Sequence, residues 1–360
     1  MTTKDNHASS RLRILVARTD RIGDVLLSTP VFTELREQYT DCHLSALVAP
    51  YCREAVEGHP ALDEVLLDRE SNEDGIFSGV FLLVRELRRR RFDILILLHP
   101  TFRLAIAGAL AGIPVRVGTG YRAYSLLFNR KVFEHRKNAL RHEVQYNVGM
   151  LKTLGIDRAK TADPDIVISE NDVKAARRLL LSCDLDEDAP FVVLHPGSGG
   201  SARDWPGSHF AALGDRINSD GLGQVLFTGG RHEVELIKSI QGRMSTVSST
   251  LAGNTSIKEL AAILKSSRLC VANSTGPMHL SAAVGTPTVS LFCPIVPCSP
   301  TRWGPCGEGH TVLKPNVPAC PACIGLKCEY YDCMNSISVE SVLEAVDKVM
   351  RIEDHEQRER

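Results

Sequence analysis

Three polar stretches carry the residue types that bind or activate an oxygen-rich substrate: Arg18–Asp24, His195–Pro206 and Asn273–Pro277. Each follows a short apolar run of the kind that forms a buried strand. In open α/β sheets ligands bind outside the carboxyl ends of strands, so these are the positions to examine. The third stretch, within Val271-Ala-Asn-Ser-Thr-Gly-Pro-Met-His-Leu280, reads as strand, tight turn and helix start, with Pro277 suited to the first helical position. Unpaired N–H groups and the positive dipole end of such a helix face one point, where a diphosphate is expected. His279, in the first turn, is either a donor to a phosphate oxygen or a satisfied core histidine.

The His195–Pro206 loop is glycine-rich enough for backbone to approach phosphate. Gly197, Gly199 and Ala202 even satisfy G-x-G-x-x-A. A dinucleotide fingerprint should run straight into a helix, yet Trp205-Pro206 intervenes. The following strand should end near an acidic residue, yet Gln224–Phe227 leads to Thr228-Gly-Gly, so a nicotinamide oxidoreductase fits poorly. Arg203 offers a positive fork for a diphosphate, against the alternative of a surface arginine. Asp24 is the best candidate for a general base, with helix N-capping as the competing role and Asp20 as its rival. Cys320, Cys323, Cys328 and Cys333 have spacing that permits zinc; reduced thiols packing a short loop are the competing account.

The elements that must position these residues alternate strand and helix twice over. Strands are expected at Ile14–Ala17, Leu44–Val48, Val65–Leu67, Asp93–Leu98 and Ile113–Val117, with helices at Phe81–Arg91 and Leu104–Ala111. Pro30 either kinks a helix starting at Asp24 or opens one capped by Thr29. A strand-like Asp165–Ile168 and a helix over Val173–Ser182 precede an acidic turn. The second half then offers strands at Phe191–Leu194, Gln224–Phe227, Leu269–Ala272 and Thr288–Phe292. Helices are expected at Phe210–Ile217, Glu233–Ile240, Met278–Val284 and from a Ser256–Glu259 capping box to Leu264. Val339, Val342, Leu343, Val346 and Met350 mark one face of a last helix. Two doubly wound α/β domains follow, at 1–170 and 171–360.

The chain has 360 residues, 43% hydrophobic and 24% charged, with a formal net charge of -1, which gives no reason to expect general nucleic-acid binding. Two domains suit this length. Met1–Ser10 reads as a disordered polar lead-in. No apolar run is long enough to span a bilayer, and no secretory signal is seen, so a cytoplasmic protein with reduced cysteines is expected. Between Gly118 and Met150 the pattern loosens and becomes basic, through Arg122, Arg130, Lys131, Arg136, Lys137 and Arg141. That run is either a solvated face or the seat of an anionic acceptor.

Taken together, Arg18-Thr-Asp-Arg-Ile-Gly-Asp-Val-Leu-Leu-Ser-Thr-Pro30, His195-Pro-Gly-Ser with Arg203-Asp-Trp-Pro206, Leu251–Leu260 and Asn273–Pro287 resemble glycosyltransferase family 9, the ADP-heptose:lipopolysaccharide heptosyltransferases. The resemblance implies a GT-B architecture: two Rossmann-like domains facing across a cleft, acceptor on the amino-terminal side and nucleotide sugar on the other. It implies inverting transfer from ADP-heptose to a lipopolysaccharide inner-core acceptor at the inner face of the cytoplasmic membrane, without metal or cofactor. Position by position, Asp24 matches the catalytic carboxylate. Ser198, Arg203, Glu233, Ser274 and the backbone of Thr275, Gly276, Pro277, Met278 and His279 match donor contacts. Arg21, Arg122 and Arg130 are the acceptor-side candidates. Many members carry aspartate where this chain has Ser274, which leaves room for a different donor sugar. Another GT-B enzyme and a non-catalytic nucleotide-binding relative are the alternatives.

Overall fold

The computed structural model describes residues 11–69, 75–157, 162–183, 185–186 and 189–359. The lead-in Met1–Ser10 and most of the acidic turn before Phe191 lie outside them. The chain forms two compact units, one of residues 1–134 and 144–162, the other of 135–143 and 163–360.

The first unit contains β1 (Leu12–Ala17), α1 (Ile22–Leu26), α2 (Thr29–Gln38), β2 (Cys42–Val48), β3 (Glu64–Leu67), α3 (Gly75–Arg90), β4 (Ile94–Leu97), α4 (Phe102–Leu110), β5 (Val115–Thr119) and β6 (Arg130–Val132). α5 (Glu143–Gly149) lies in it from its second residue on. Its six parallel strands run β3-β2-β1-β4-β5-β6. β4 is an unbroken apolar run, Ile-Leu-Ile-Leu, buried throughout, as a central strand covered on both faces requires.

The second unit adds α6 (Glu170–Leu181), β7 (Phe191–His195), α7 (Gly207–Ser219), β8 (Gln224–Phe227), α8 (Val234–Gln241), β9 (Ser249–Thr250), α9 (Ile257–Ser266), β10 (Leu269–Asn273), α10 (Gly276–Ala283), β11 (Thr288–Leu291), α11 (Pro300–Trp303), β12 (Thr311–Leu313) and α12 (Val339–Glu359). Its sheet order, β12-β11-β10-β7-β8-β9, is the first unit's order over again, counted from β7. In both units the order reverses between the first and fourth strands, so each has a crevice at β1/β4 or β7/β10 where doubly wound sheets take ligands.

Local sequence explains the elements that place these loops. The Ser256–Glu259 capping box forms as expected, Ser256 Oγ accepting from the Glu259 N–H at 3.2 Å and Glu259 Oε2 from the Ser256 N–H at 2.8 Å. Pro30 falls in the first turn of α2, after a break at Leu27, and the cap position is Ser28, one residue before Thr29. α10 starts at Gly276, with Pro277 in its first turn and Gly285 left-handed (φ 81°) just beyond its end. Along α12, Val342 and Val346 are fully buried in the second core, and the Trp205 indole N–H donates to the Ile337 carbonyl at 2.8 Å beneath it.

Asp165–Ile168 forms no strand; the segment lies just inside the second unit and joins no ladder among the described residues. β6, β9 and β12 are edge strands of two or three residues, too short to show a period in the sequence. α5 hides within the basic stretch because two of its polar residues, Glu143 and Asn147, are fully buried. Glu143 accepts from Arg136 Nη1 at 2.6 Å and from Arg302 Nε at 2.8 Å, all three within the second unit.

Candidate functional site

In the first unit the crevice residues gather around Arg18, the residue that leaves β1. Its backbone N–H continues the ladder to the Leu47 carbonyl, and its side chain is 3% exposed. A guanidinium so buried needs anionic partners. It donates from Nε to Asp20 Oδ1 at 2.7 Å, from Nη2 to Asp24 Oδ1, and from Nη1 to Asn147 Oδ1 at 3.3 Å. Asn147, on α5, donates in turn to the Leu27 carbonyl at 3.1 Å, where α1 breaks before α2.

Asp24 lies in the first turn of α1, where Arg21 occupies the cap position, so it is not the helix cap. Asp20 is engaged on both oxygens, the second lying 3.1 Å from His99 Nδ1. Burial pushes the Asp20 carboxyl up, but Arg18 and His99 outweigh it and hold it at about 2. A carboxylate so acidic, with both oxygens engaged, is a poor proton acceptor. Arg18, His99 and Asn147 are site residues that sequence reasoning missed. His99 follows β4 and so stands on the other side of the crevice, a position that only the strand order reveals.

The expected acceptor-side arginines are dispersed. Arg21 is exposed beside Asp24; Arg122 is exposed beyond the carboxyl end of β5; Arg130 opens β6, at the amino end of that strand. Not all of the basic side chains here are free for a ligand: Arg136, within the basic stretch, pairs with Glu143, and Arg116, just before it, donates to the carbonyls of Ile113 and Leu127.

In the second unit the loops after β7 and β10 are stapled together by Asn273. Its side chain is fully buried, accepting from the Trp205 N–H at 2.9 Å and donating to the Pro196 carbonyl at 2.6 Å. Ser201 Oγ adds a bond to the Ser274 carbonyl at 3.1 Å. Glu233 packs beneath the glycine loop, accepting from the Gly230 N–H at 2.7 Å. A Cβ on Gly197 would lie 1.8 Å from Glu233 Oε1, so close approach, not backbone freedom, requires glycine there. His195 is held neutral: burial lowers it to about 4 against the opposing pull of Glu233, and its Nδ1 lies 3.0 Å from Thr228 Oγ1.

Around α10 the candidates share one turn. Thr275 is the extended cap residue; Gly276 and Met278 present N–H groups that an α-helix leaves unpaired at its start, while Pro277 has none. Met278 is fully buried, so only its backbone is available. Burial, with His142 nearby, pushes His279 down to about 3; it is neutral and contributes dipole, not charge. Ser274 is buried, its N–H bonded to the Leu291 carbonyl at 3.1 Å. Ser198 is buried beside Asp204; burial raises that carboxyl, and the Ser198 hydroxyl opposes the rise.

Arg203 turns toward the cysteine-bearing segment, its guanidinium 5.5 Å from the Tyr331 ring centroid and 3.6 Å from Asp332 Oδ1. Cys320, Cys323, Cys328 and Cys333 line one pocket with it, all as free thiols. Among the described residues no three His, Cys, Asp or Glu side chains are placed to share a metal ion.

The two crevices are lined by hydrogen-bonding groups, and the second has a helix N-terminus suited to an anion. The model of glycosyltransferase family 9 (heptosyltransferase) matches residues 80–330. The chain is similar to lipopolysaccharide heptosyltransferase 2 of Salmonella typhimurium, 26% identical over 297 residues that cover 79% of this chain and 84% of the relative. The fold is similar to a family 9 glycosyltransferase of Veillonella parvula, with a TM-score of 0.82 at 23% identity, covering 94% of this chain and 97% of that one. It is also similar to Escherichia coli ADP-heptose lipopolysaccharide heptosyltransferase II, with a TM-score of 0.80 at 22% identity over 95% and 100% of the two chains. The chain has the two Rossmann-like domains of the GT-B class and belongs to glycosyltransferase family 9, the heptosyltransferase family.

Proposed function

We propose that this glycosyltransferase moves a heptose from ADP-heptose to a sugar hydroxyl of a lipopolysaccharide core, inverting the anomeric centre without a metal ion. The observation that carries the reading is the pairing of Asp24 with the buried Arg18 at the β1/β4 crevice. The guanidinium fixes the carboxylate in place while the aspartate side chain stays 17% exposed, open to a substrate hydroxyl. Asp24 takes the hydroxyl proton as the oxygen bonds to the anomeric carbon and the bond from that carbon to the diphosphate oxygen breaks. The charge that develops on the departing diphosphate is met by the N–H groups of Gly276 and Met278, the Ser198 hydroxyl and Arg203. Glu233 shapes the loop that Ser198 belongs to. Arg21, Arg122 and Arg130 supply positive charge for an anionic acceptor presented at the cytoplasmic face of the inner membrane. The names of the relatives, which act on lipopolysaccharide, support this choice of acceptor.

Asp24→Asn tests the assignment. ADP release from ADP-heptose should fall roughly 10²–10⁴-fold, while ADP affinity by calorimetry stays within about two-fold, since the change lies outside the donor loops. Undiminished turnover would remove Asp24 from the reaction. Ser274 motivates one further measurement, a screen of ADP- and UDP-linked sugars, in which preference for a sugar other than heptose would revise the donor.

A further inference from the structure

A second basic site lies on the edge of the first unit away from Asp24. Arg13 enters β1 at its amino end, and Arg89, Arg90 and Arg91 close α3 just before β4, so all four stand at the amino ends of the central strands. Together they line one open pocket. Like charges gathered in this way repel one another, and the carboxylates nearby offset only part of the repulsion. Glu86 accepts from Arg89 Nη2 at 3.0 Å and Arg90 Nε at 2.7 Å, and Glu64 takes Arg90 Nη1. The Asp93 carboxylate is spent on the Arg13 backbone N–H at 2.8 Å. The buried Nε of Arg13 has no hydrogen-bond partner, and no carboxylate pairs with the exposed Arg91 among the described residues. Arg91 moreover holds a left-handed backbone (φ 50°), which glycine would adopt without strain. A charged side chain is kept where the backbone favours none.

The same side of α3 continues the pattern. Phe81, Leu82, Arg85, Arg88 and Arg89 share its exposed face, with Phe81 at 68% and Leu82 at 56% exposure, while Val84 and Leu87 face the core. Guanidinium groups in a fixed cluster match phosphate oxygens, and apolar side chains beside them match the boundary of a lipid layer.

We propose that Arg13, Arg89, Arg90 and Arg91 form a phosphate-binding site on the first unit, separate from the donor and acceptor loops. The phosphate comes from free polyphosphate anions or from the headgroups of an anionic bilayer, and the test has one arm for each. In the first, pyrophosphate is titrated into the full chain with excess ADP present, so that binding at the second unit's loops is not counted. In the second, the chain is sedimented with phosphatidylglycerol vesicles, with phosphatidylcholine vesicles as reference. Both arms compare the native chain with Arg89→Gln/Arg91→Gly, which removes two charges and leaves a glycine where the backbone suits one.

Phosphatidylglycerol binding should weaken roughly 25-fold in the variant, at about five-fold per charge, and phosphatidylcholine should not bind. Pyrophosphate binding lost in the variant would instead identify a soluble ligand. Binding in neither arm, or binding that the variant leaves unchanged, overturns the proposal. Arg89→Gln alone is the second variant should the double change lower the unfolding midpoint. Transfer to a soluble acceptor should be unaffected by either.

Discussion

Replacing Arg18 by Met would remove a cation that Asp20 and Asp24 share while keeping much of the side chain's length. The arginine is 3% exposed and the aspartates 19% and 17%, so the lost partner is not replaced by bulk water. Breaking a buried ion pair from one side costs about 3–5 kcal/mol. The Asp20 part can be judged separately. Its folded carboxyl is held at about 2 against an ordinary 3.8, equivalent to about 2 kcal/mol of stability. Because the folded value is depressed, this contribution is complete above about pH 4 and is lost as the pH falls toward 2. Without Arg18, the burial that pushes Asp20 up is opposed by His99 alone, and the carboxyl rises. Urea unfolding of the two proteins should therefore show a gap of about 3–5 kcal/mol at pH 7, narrowing steadily below pH 4. A gap under about 1 kcal/mol at pH 7, or one that stays constant into acid, would refute the claim that Arg18 organises this crevice.

Two further substitutions probe the second unit. Gly197→Ala would drive a methyl to within 1.8 Å of Glu233 Oε1, and relief requires Glu233 to give up its 2.7 Å bond to the Gly230 N–H. A cost of about 1–3 kcal/mol is expected in denaturant midpoint, and adding Glu233→Ala should restore part of it; no recovery would mean the clash is not the cause. Asn273→Ala would leave the buried Trp205 N–H and Pro196 carbonyl without their partner, costing about 2–4 kcal/mol. ADP affinity should fall with it as the glycine loop loosens, and an unchanged affinity would show that the loop holds its shape without the staple.

How much of this was legible in the sequence varies from residue to residue. β4 is a continuous apolar run and β7 and β10 are apolar up to their last residue, as buried parallel strands require, and the capping box of α9 announces itself by spacing. The helix start at Gly276–Pro277 was likewise readable to within a residue. The arrangement around Asp24 was not. Arg18 looks like any arginine in a polar loop until β1 is known to end beside β4, and His99 and Asn147 come from 81 and 129 positions away in sequence through strand order and α5. Arg203 was legible as a basic residue in a phosphate-like loop, but its contacts with Tyr331 and Asp332 depend on a segment more than a hundred residues later. Local pattern finds apolar periodicity well. It is blind to polar side chains whose partners lie far along the chain, and those are what assemble the two crevices.

Glu143 also bears on how the protein can be divided. Residues 135–143 belong to the second unit although the chain on either side of them belongs to the first. A fragment starting at residue 163 would contain every strand of the second sheet yet lack the carboxylate that receives Arg302, leaving that arginine stacked on Trp303 at 4.4 Å with its charge unanswered. Sequence contiguity and structural independence do not coincide in this chain. The half that looks separable on paper is completed by nine residues borrowed from the other side of the cut.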